Sequence, residues 1–326
     1  MNHLVGILGS YKIQIVAPTQ PTSIIFSSIT QTAFTATWSN GTGATSYTYK
    51  LNNSAVTPST DNGVASKSAR FTGLVASTPY DLIVTAINAG GPIASAIFSV
   101  TTLATITPKV LLRANNYSGS GTWNDESGNS KNATLEFGTI SKNAAGNGIV
   151  LNGSTSWTFP NVAVGNAWTA NVWYKNTGSQ LGGNYQGVGA GACILTQILK
   201  YPTTINICIG DSLYQNNRTY QCGFYSSAFF NGITITLVNG NWTNIQATWN
   251  GTNLVTYING AQSSTNYLAG TSQDSLLAYR IGRRWDVDDY MVGEIGEVRI
   301  YNIALTSAQV TADYNTSAPT FGSAIV

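Results

Sequence analysis

Side chains that titrate near neutral pH are scarce in this chain. Its 326 residues include one histidine, His3, and only 9% are charged. General acid–base catalysis needs groups whose protonation can be tuned. A lone histidine in the N-terminal arm leaves no Ser-His-Asp or Cys-His set within the body of the chain. It also leaves no histidine-rich ligand set for hydrolytic zinc. Cysteine is equally sparse. Cys193, Cys208 and Cys222 form no C-x-x-C pair and are odd in number, which excludes a disulfide scaffold and reads as buried free thiols. No GxxxxGK[ST] or GxGxxG stretch offers a phosphate cradle. The net charge is +2 and the basic residues are dispersed, so neither a nucleic-acid groove nor an anionic membrane surface is implied. No apolar run approaches the roughly 18 residues that span a bilayer as a helix. The N-terminal MNHLVGILGSYKIQIVAP lacks a basic region and a long apolar core, so a secretory signal is not expected. Nine N-x-[ST] sequons occur, as an Asn-, Ser- and Thr-rich chain generates by chance.

What is abundant points to sheet. Thirty-three glycines and many asparagines suit turns, while Thr, Val, Ile and Tyr suit strands. Long Ala/Leu/Glu/Lys stretches with a 3.6-residue period are missing, so the expectation is all-β.

Two modules are legible. The first spans 18–103, with strand-like runs at 33–38, 46–51, 67–74, 80–88 and 94–102. Asn40-Gly41, Asp61-Asn62-Gly63 and Ala89-Gly90-Gly91-Pro92 supply turns. In YDLIVTAIN, Tyr80, Leu82, Val84 and Ala86 share one face, the period of a half-buried strand. Trp38, Tyr47 and LVASTPYDLIVTAINAGG (74–91) resemble a fibronectin type III module. The resemblance implies a β-sandwich in which Tyr80 is structural, its ring packed and its hydroxyl tied to backbone. Arg-Gly-Asp is absent, so the module is expected to space or dock its neighbour. Residues 1–17 form an arm whose LVGIL and YKIQIV stretches are either a docking element or a first strand. TLATITPK (102–109) links the modules, and Pro108 argues against one continuous strand there.

The second module, 104–318, has longer strands and is followed by a tail, 319–326. It contains WNDESGNSKNATL (123–135), Leu151-Asn152-Gly153, the Trp168–Trp173 strand and the Trp242–Gly251 stretch. Asn250-Gly251 and Asn259-Gly260 supply tight turns. It closes with IGRR (281–284) and GEIGEVRIYNIALTSAQVTADYN (293–315). These pieces resemble the laminin-G-like, or concanavalin-A-like, jelly roll, whose family ending is a terminal strand followed by a short helix. Thr306 and Gln309 make a capping box. Ala308, Val310 and Ala312 form no strong stripe, so about two helical turns are expected.

Some enzymes share this jelly roll and need only two carboxylates. Of four glutamates, Glu294 and Glu297 are the tempting pair. In an unbulged strand their odd spacing sends them to opposite faces. Glucanases of this fold carry E-x-D-x-x-E; here the Asp is missing and the spacing short. Glu297 is expected to pair with Arg299 on the solvent face, and no enzyme activity is expected.

RRWDVDDY (283–290) concentrates charge in a charge-poor chain. It reads as a polar loop with Trp285 packed on the sandwich edge, or as a sugar platform. In the latter, Trp285 and Tyr290 stack on a ring, and Asp286 and Asp288 read hydroxyls. Tyr185, Tyr214 and Tyr220 offer similar chemistry. A calcium site would use Asp286, Asp288 and Asp289, with WNDESGN nearby. Arg283 and Arg284 oppose a cation there, so no obligatory metal or other cofactor is expected. The module pair, low charge and missing signal resemble capsid-associated and fibre proteins of large DNA viruses. The expectation is therefore a multi-copy, non-enzymatic component of the virion surface, assembled in host cytoplasm and contacting other capsid proteins. The alternative is a carbohydrate-binding attachment module, extracellular or on a bacterial surface, with host glycans as partners.

Overall fold

A computed structural model describes residues 15–177, 193–197, 205–214, 217–226, 229–235, 237–267, 277–284 and 290–326. The chain divides into two compact units, residues 1–105 and 106–326.

The first unit is a β-sandwich. Its strands are β1 (Pro21–Ser27), β2 (Ala33–Asn40), β3 (Ser46–Leu51), β4 (Ser54–Val56) and β5 (Thr60–Asp61). After a single helical turn, α1 (Gly63–Ser66), come β6 (Ser68–Thr72), β7 (Pro79–Asn88), β8 (Gly91–Ala94) and β9 (Phe98–Thr101). One sheet runs β1-β2-β6-β5; the other runs β4-β3-β7-β8, with β9 also on β7. Leu82, Val84 and Ala86 are buried as their alternation requires, against Phe34, Trp38, Tyr49 and Phe71. The expected run 94–102 is two strands, because the chain breaks at Ser95, whose hydroxyl accepts from the Val84 N–H at 3.0 Å. The Tyr80 hydroxyl accepts from the Val75 N–H at 2.9 Å, the tie expected of a corner tyrosine. β1 begins at Pro21 at a sheet edge, where the missing N–H costs no ladder bond.

The second unit packs two larger sheets. Its strands are β10 (Val110–Arg113), β11 (Thr122–Trp123), β12 (Ala133–Phe137), β13 (Ile149–Asn152), β14 (Ser156–Phe159), β15 (Trp168–Lys175) and β16 (Cys193–Gln197). Then come β17 (Ile205–Tyr214), β18 (Asn217–Ser226), β19 (Phe229–Ile235), β20 (Trp242–Trp249), β21 (Asn253–Ile258), β22 (Ala261–Tyr267), β23 (Tyr279–Ile281) and β24 (Val292–Tyr301). One sheet runs β10-β24-β15-β20-β21-β22, with β13 also on β24. The other runs β11-β12-β14-β23-β16-β17-β18-β19. Trp123, Trp157, Trp168 and Trp249 meet between them, fully buried. Asn259 (φ 52°) and Gly260 (φ 77°) take the left-handed backbone that a two-residue hairpin turn demands.

A helix, α2 (Ser307–Ser317), covers the outer face of the first of these sheets. The Thr306–Gln309 capping box forms, but the helix has 11 residues, about three turns rather than two. Its buried residues, Val310, Tyr314 and Ser317, follow an i, i+4, i+7 stripe. β15 is consequently buried on both faces: Trp173 stacks on Tyr314 and Phe321, and its indole N–H donates to Ser317 Oγ at 2.9 Å.

Candidate functional site

On β12, β14 and β23, Trp157, Phe159, Tyr279 and Ile281 fill the core, so Ser156, Thr158 and Arg280 stand on the outer face. β12 carries a bulge at Glu136, where its register with β14 shifts between Leu135 and Phe137. Glu136 is thereby held against two arginines. Arg280 contacts it in bidentate fashion, Nη2 to Oε1 at 2.6 Å and Nε to Oε2 at 2.9 Å; Arg283 Nη1 lies 3.6 Å from Oε1. Ser156 Oγ donates a further bond of 3.2 Å. The Arg283 guanidinium sits 4.6 Å from the Phe137 ring centre and 5.4 Å from that of Tyr290. The two rings meet edge-on at 6.5 Å, and Phe137 is 45% exposed. Arg283 and Tyr290 form an antiparallel backbone bridge, and Arg284 is buried beside it.

Of the residues singled out from the sequence, Tyr290 is thus placed beside an exposed ring and a guanidinium. Trp285, Asp286, Asp288 and Asp289 lie outside the described residues, as do Tyr185 and residues 1–14. Tyr214 and Tyr220 lie on β17 and β18, with side chains outside the description. Asp125, a supposed neighbour of the calcium ligands, is a loop staple. Its carboxylate accepts from the backbone N–H of Leu111, Ser127 and Lys131 and from Ser127 Oγ, all within 2.9 Å. Among the described residues no group of three or more His, Cys, Asp or Glu is arranged to hold a metal ion.

The opposite sheet corrects the reading of Glu294 and Glu297. Trp173 pairs with Glu297 and Tyr174 with Ile295, so Gly296 is a bulge. Ile295, Val298 and Ile300 all face the core, and the two glutamates share the outer face. Their partners keep them from acting as a free pair. Glu294 takes Lys175 at 3.3 Å and Asn143 at 2.7 Å. Glu297 lies 3.3 Å from Arg113 and 2.7 Å from Arg299. Arg299 is the expected partner, yet Glu297 is buried under α2 rather than on a solvent face. Asp313 of α2 completes this cluster. It accepts from Arg299, from Tyr301 Oη at 2.5 Å, from Asn171 at 2.7 Å and from Gln246 at 2.8 Å. Burial opposes the Arg299 charge, but Asp313 and then Glu297 outweigh it and hold its pKa above the ordinary value. Burial, with the charge of Asp313 behind it, also pushes the Tyr301 hydroxyl up.

Neither hub, Glu136 or Asp313, was visible in the sequence. Each meets its arginine across strands or from a helix, with no fixed spacing to betray it.

With the geometry in place, comparison defines the class. Residues 19–100 match the model for the fibronectin type III domain, and residues 151–311 match that for the concanavalin A-like lectin/glucanases superfamily. The chain is an all-β protein combining a fibronectin type III-like sandwich with a concanavalin-A-like, laminin-G-like jelly roll. No curated protein matches it. Among solved structures, it is similar to domain 4 of an extracellular arabinanase from Geobacillus stearothermophilus, in complex with arabinotriose. That likeness has TM-score 0.48 and 21% identity, over 64% of this chain and 98% of that one. It is also similar to the receptor binding domain of botulinum neurotoxin C/D mosaic serotype, with TM-score 0.49 and 14% identity over 65% of this chain. The binding domain of Paraclostridial Mosquitocidal Protein 1 gives TM-score 0.46 and 16% identity over 64% of this chain. This chain spans about half of each toxin chain, 52% in both cases. No helix among the described residues is long and apolar enough to cross a membrane.

Proposed function

We propose that the chain is a non-enzymatic binding protein whose jelly roll recognises carbohydrate through the 285–290 loop. Trp285 and Tyr290 supply rings for a sugar face, Asp286 and Asp288 accept from its hydroxyls, and no metal is required. The observation that carries this reading is the loop's base. An exposed ring, Phe137, and Tyr290 are held together by Arg283, which Glu136 anchors in turn. Aromatic rings backed by a fixed guanidinium and carboxylate match the mixed apolar and hydroxyl surface of a sugar ring. The match to a superfamily named for lectins and glucanases favours this role over the virion-surface one. It also favours an extracellular or cell-surface setting with glycan partners. The fibronectin-like unit serves as carrier.

A glycan array probed with the full chain tests the proposal. Binding is expected, and Trp285→Ala is expected to weaken it about tenfold or more while leaving the melt nearly unchanged. A flat array overturns the reading. So does a Trp285→Ala variant destabilised by the roughly 3–5 kcal/mol of a truncated core tryptophan.

A further inference from the structure

Asn143 heads a tight turn before β13. Its backbone N–H donates to Gly148 O at 2.8 Å, and the Gly146 N–H donates to Asn143 O at 3.0 Å. Within that turn the Asn143 carboxamide is held on every side. Oδ1 accepts from the backbone N–H of Asn147 at 3.1 Å and of Gly148 at 3.2 Å. Nδ2 donates to Asn147 Oδ1 at 2.9 Å and to Glu294 Oε2 at 2.7 Å. The other oxygen of that carboxylate, Oε1, accepts from Lys175 Nζ at 3.3 Å. One carboxylate thus touches both an amine and a carboxamide. From this triad we infer that the chain carries an autocatalytic modification site, at which Lys175 and Asn143 join through an isopeptide bond.

The sheet brings the three side chains together. Lys175 ends β15 and pairs across the ladder with Glu294 of β24 on one side and Trp242 of β20 on the other. Gly148 lets the turn close on them: a Cβ there would meet Asn143 Nδ2 at 2.8 Å and the Trp242 ring at 2.9 Å. The Glu294 side chain is 13% exposed and that of Lys175 28%, so most of each is out of water.

Each group has one task. Glu294 takes a proton from the Lys175 ammonium, which frees the lone pair on Nζ to attack Asn143 Cγ. The negative charge that develops on Oδ1 falls on two backbone N–H donors already in place, the arrangement that stabilises a tetrahedral intermediate. Glu294 then hands its proton to Nδ2 and takes another from Nζ. The Cγ–Nδ2 bond breaks, the Nζ–Cγ amide remains, and the departing ammonia carries off the last proton as ammonium. Exchanging one amide for another needs no oxidant or co-reactant. The event occurs once per chain, so a rate far below an enzyme's suffices and no turnover activity is added. The product ties the turn before β13 to the end of β15 across β24, and constrains the unfolded chain as a disulfide would. Unlike a disulfide it needs no oxidising compartment, in a chain of three scattered cysteines. The site does not depend on the 285–290 loop, and the two readings stand or fall separately.

Intact-mass measurement of the full chain, with peptide mapping after protease digestion, is the test. After incubation at mildly alkaline pH, the mass is expected to lie one ammonia below that of the sequence. A branched peptide is expected to join Asn143 to Lys175. Lys175→Arg keeps the ion pair but removes the nucleophile, and should restore the full mass with an unchanged circular dichroism spectrum. Glu294→Gln, which removes the proton carrier, should also restore it. The full sequence mass in the native chain overturns the proposal. So does an ammonia loss that persists in Lys175→Arg, which marks a succinimide at an Asn-Gly pair. Should either variant fold poorly, the branched peptide of the native chain decides alone, and its absence is equally fatal.

Discussion

Among the described residues, arginine meets carboxylate in a cluster on the outer face of each jelly-roll sheet. On one, α2 closes over Glu297, Arg299 and Asp313, and every one of those side chains is at most 8% exposed. On the other, Glu136, Arg280 and Arg283 keep 11–18% exposure and border an exposed ring. The chemistry is the same and the cover differs. A charge group sealed under a helix gains strong attraction only by giving up water, so it holds the fold or breaks it. A group at a rim retains solvent and can exchange partners with a ligand. Burial, more than residue type, separates a structural cluster from a binding one.

Cutting each hub in turn gives the sharpest contrast. Asp313→Ala leaves Tyr301, Asn171 and Gln246 without this acceptor and Arg299 with Glu297 as its one carboxylate, and is expected to cost about 3–5 kcal/mol in urea unfolding. Glu136→Ala should cost about 1–2 kcal/mol, because water reaches Arg280 and Arg283. Equal costs would show that burial does not separate the two clusters.

Alkaline pH offers a smaller, signed effect. The Tyr301 hydroxyl has a raised pKa in the folded chain, so it keeps its proton where the unfolded chain, near pH 10, loses one. The folded state then binds more protons, and stability falls as pH rises above about 10. The contribution is fully present below that pH. Tyr301→Phe should lose part of the neutral-pH stability and flatten the alkaline limb. An unchanged slope in pH-dependent urea titrations would refute the link.

The smallest effect expected is that of calcium. Binding to the native state alone would raise stability by mass action. Melts in excess chelator and in millimolar calcium are expected to agree within about a degree. A rise of several degrees would show the 285–290 acids acting as a metal site.

Elements governed by local rules were legible in the sequence. Alternation placed Leu82, Val84 and Ala86 inward, Asn-Gly pairs marked turns, and Thr306 with Gln309 announced the helix start. What failed depended on partners far along the chain. The bulge at Gly296 reverses the facing of Glu294 relative to Glu297, and nothing in GEIGEV announces it. The helix runs longer than its weak stripe suggested because Tyr314 and Ser317 pack on Trp173, more than 140 residues earlier. At the candidate site, Arg283 and Tyr290 were legible as a polar cluster. Glu136 and Phe137 were not, since they arrive from β12 across β14 and β23.

One topological fact bears on how this molecule is made. β24 pairs with β10, β13 and β15, three strands synthesised well before it. As the chain leaves the ribosome, those strands wait with open edges until residues 292–301 emerge, and α2 can seal Trp173 only afterwards. Such late, long-range closure makes folding slow, on the order of milliseconds to seconds. The nascent jelly roll therefore passes through a stage in which unpaired strand edges invite aggregation. The sparse charge of the chain does little to guard that stage.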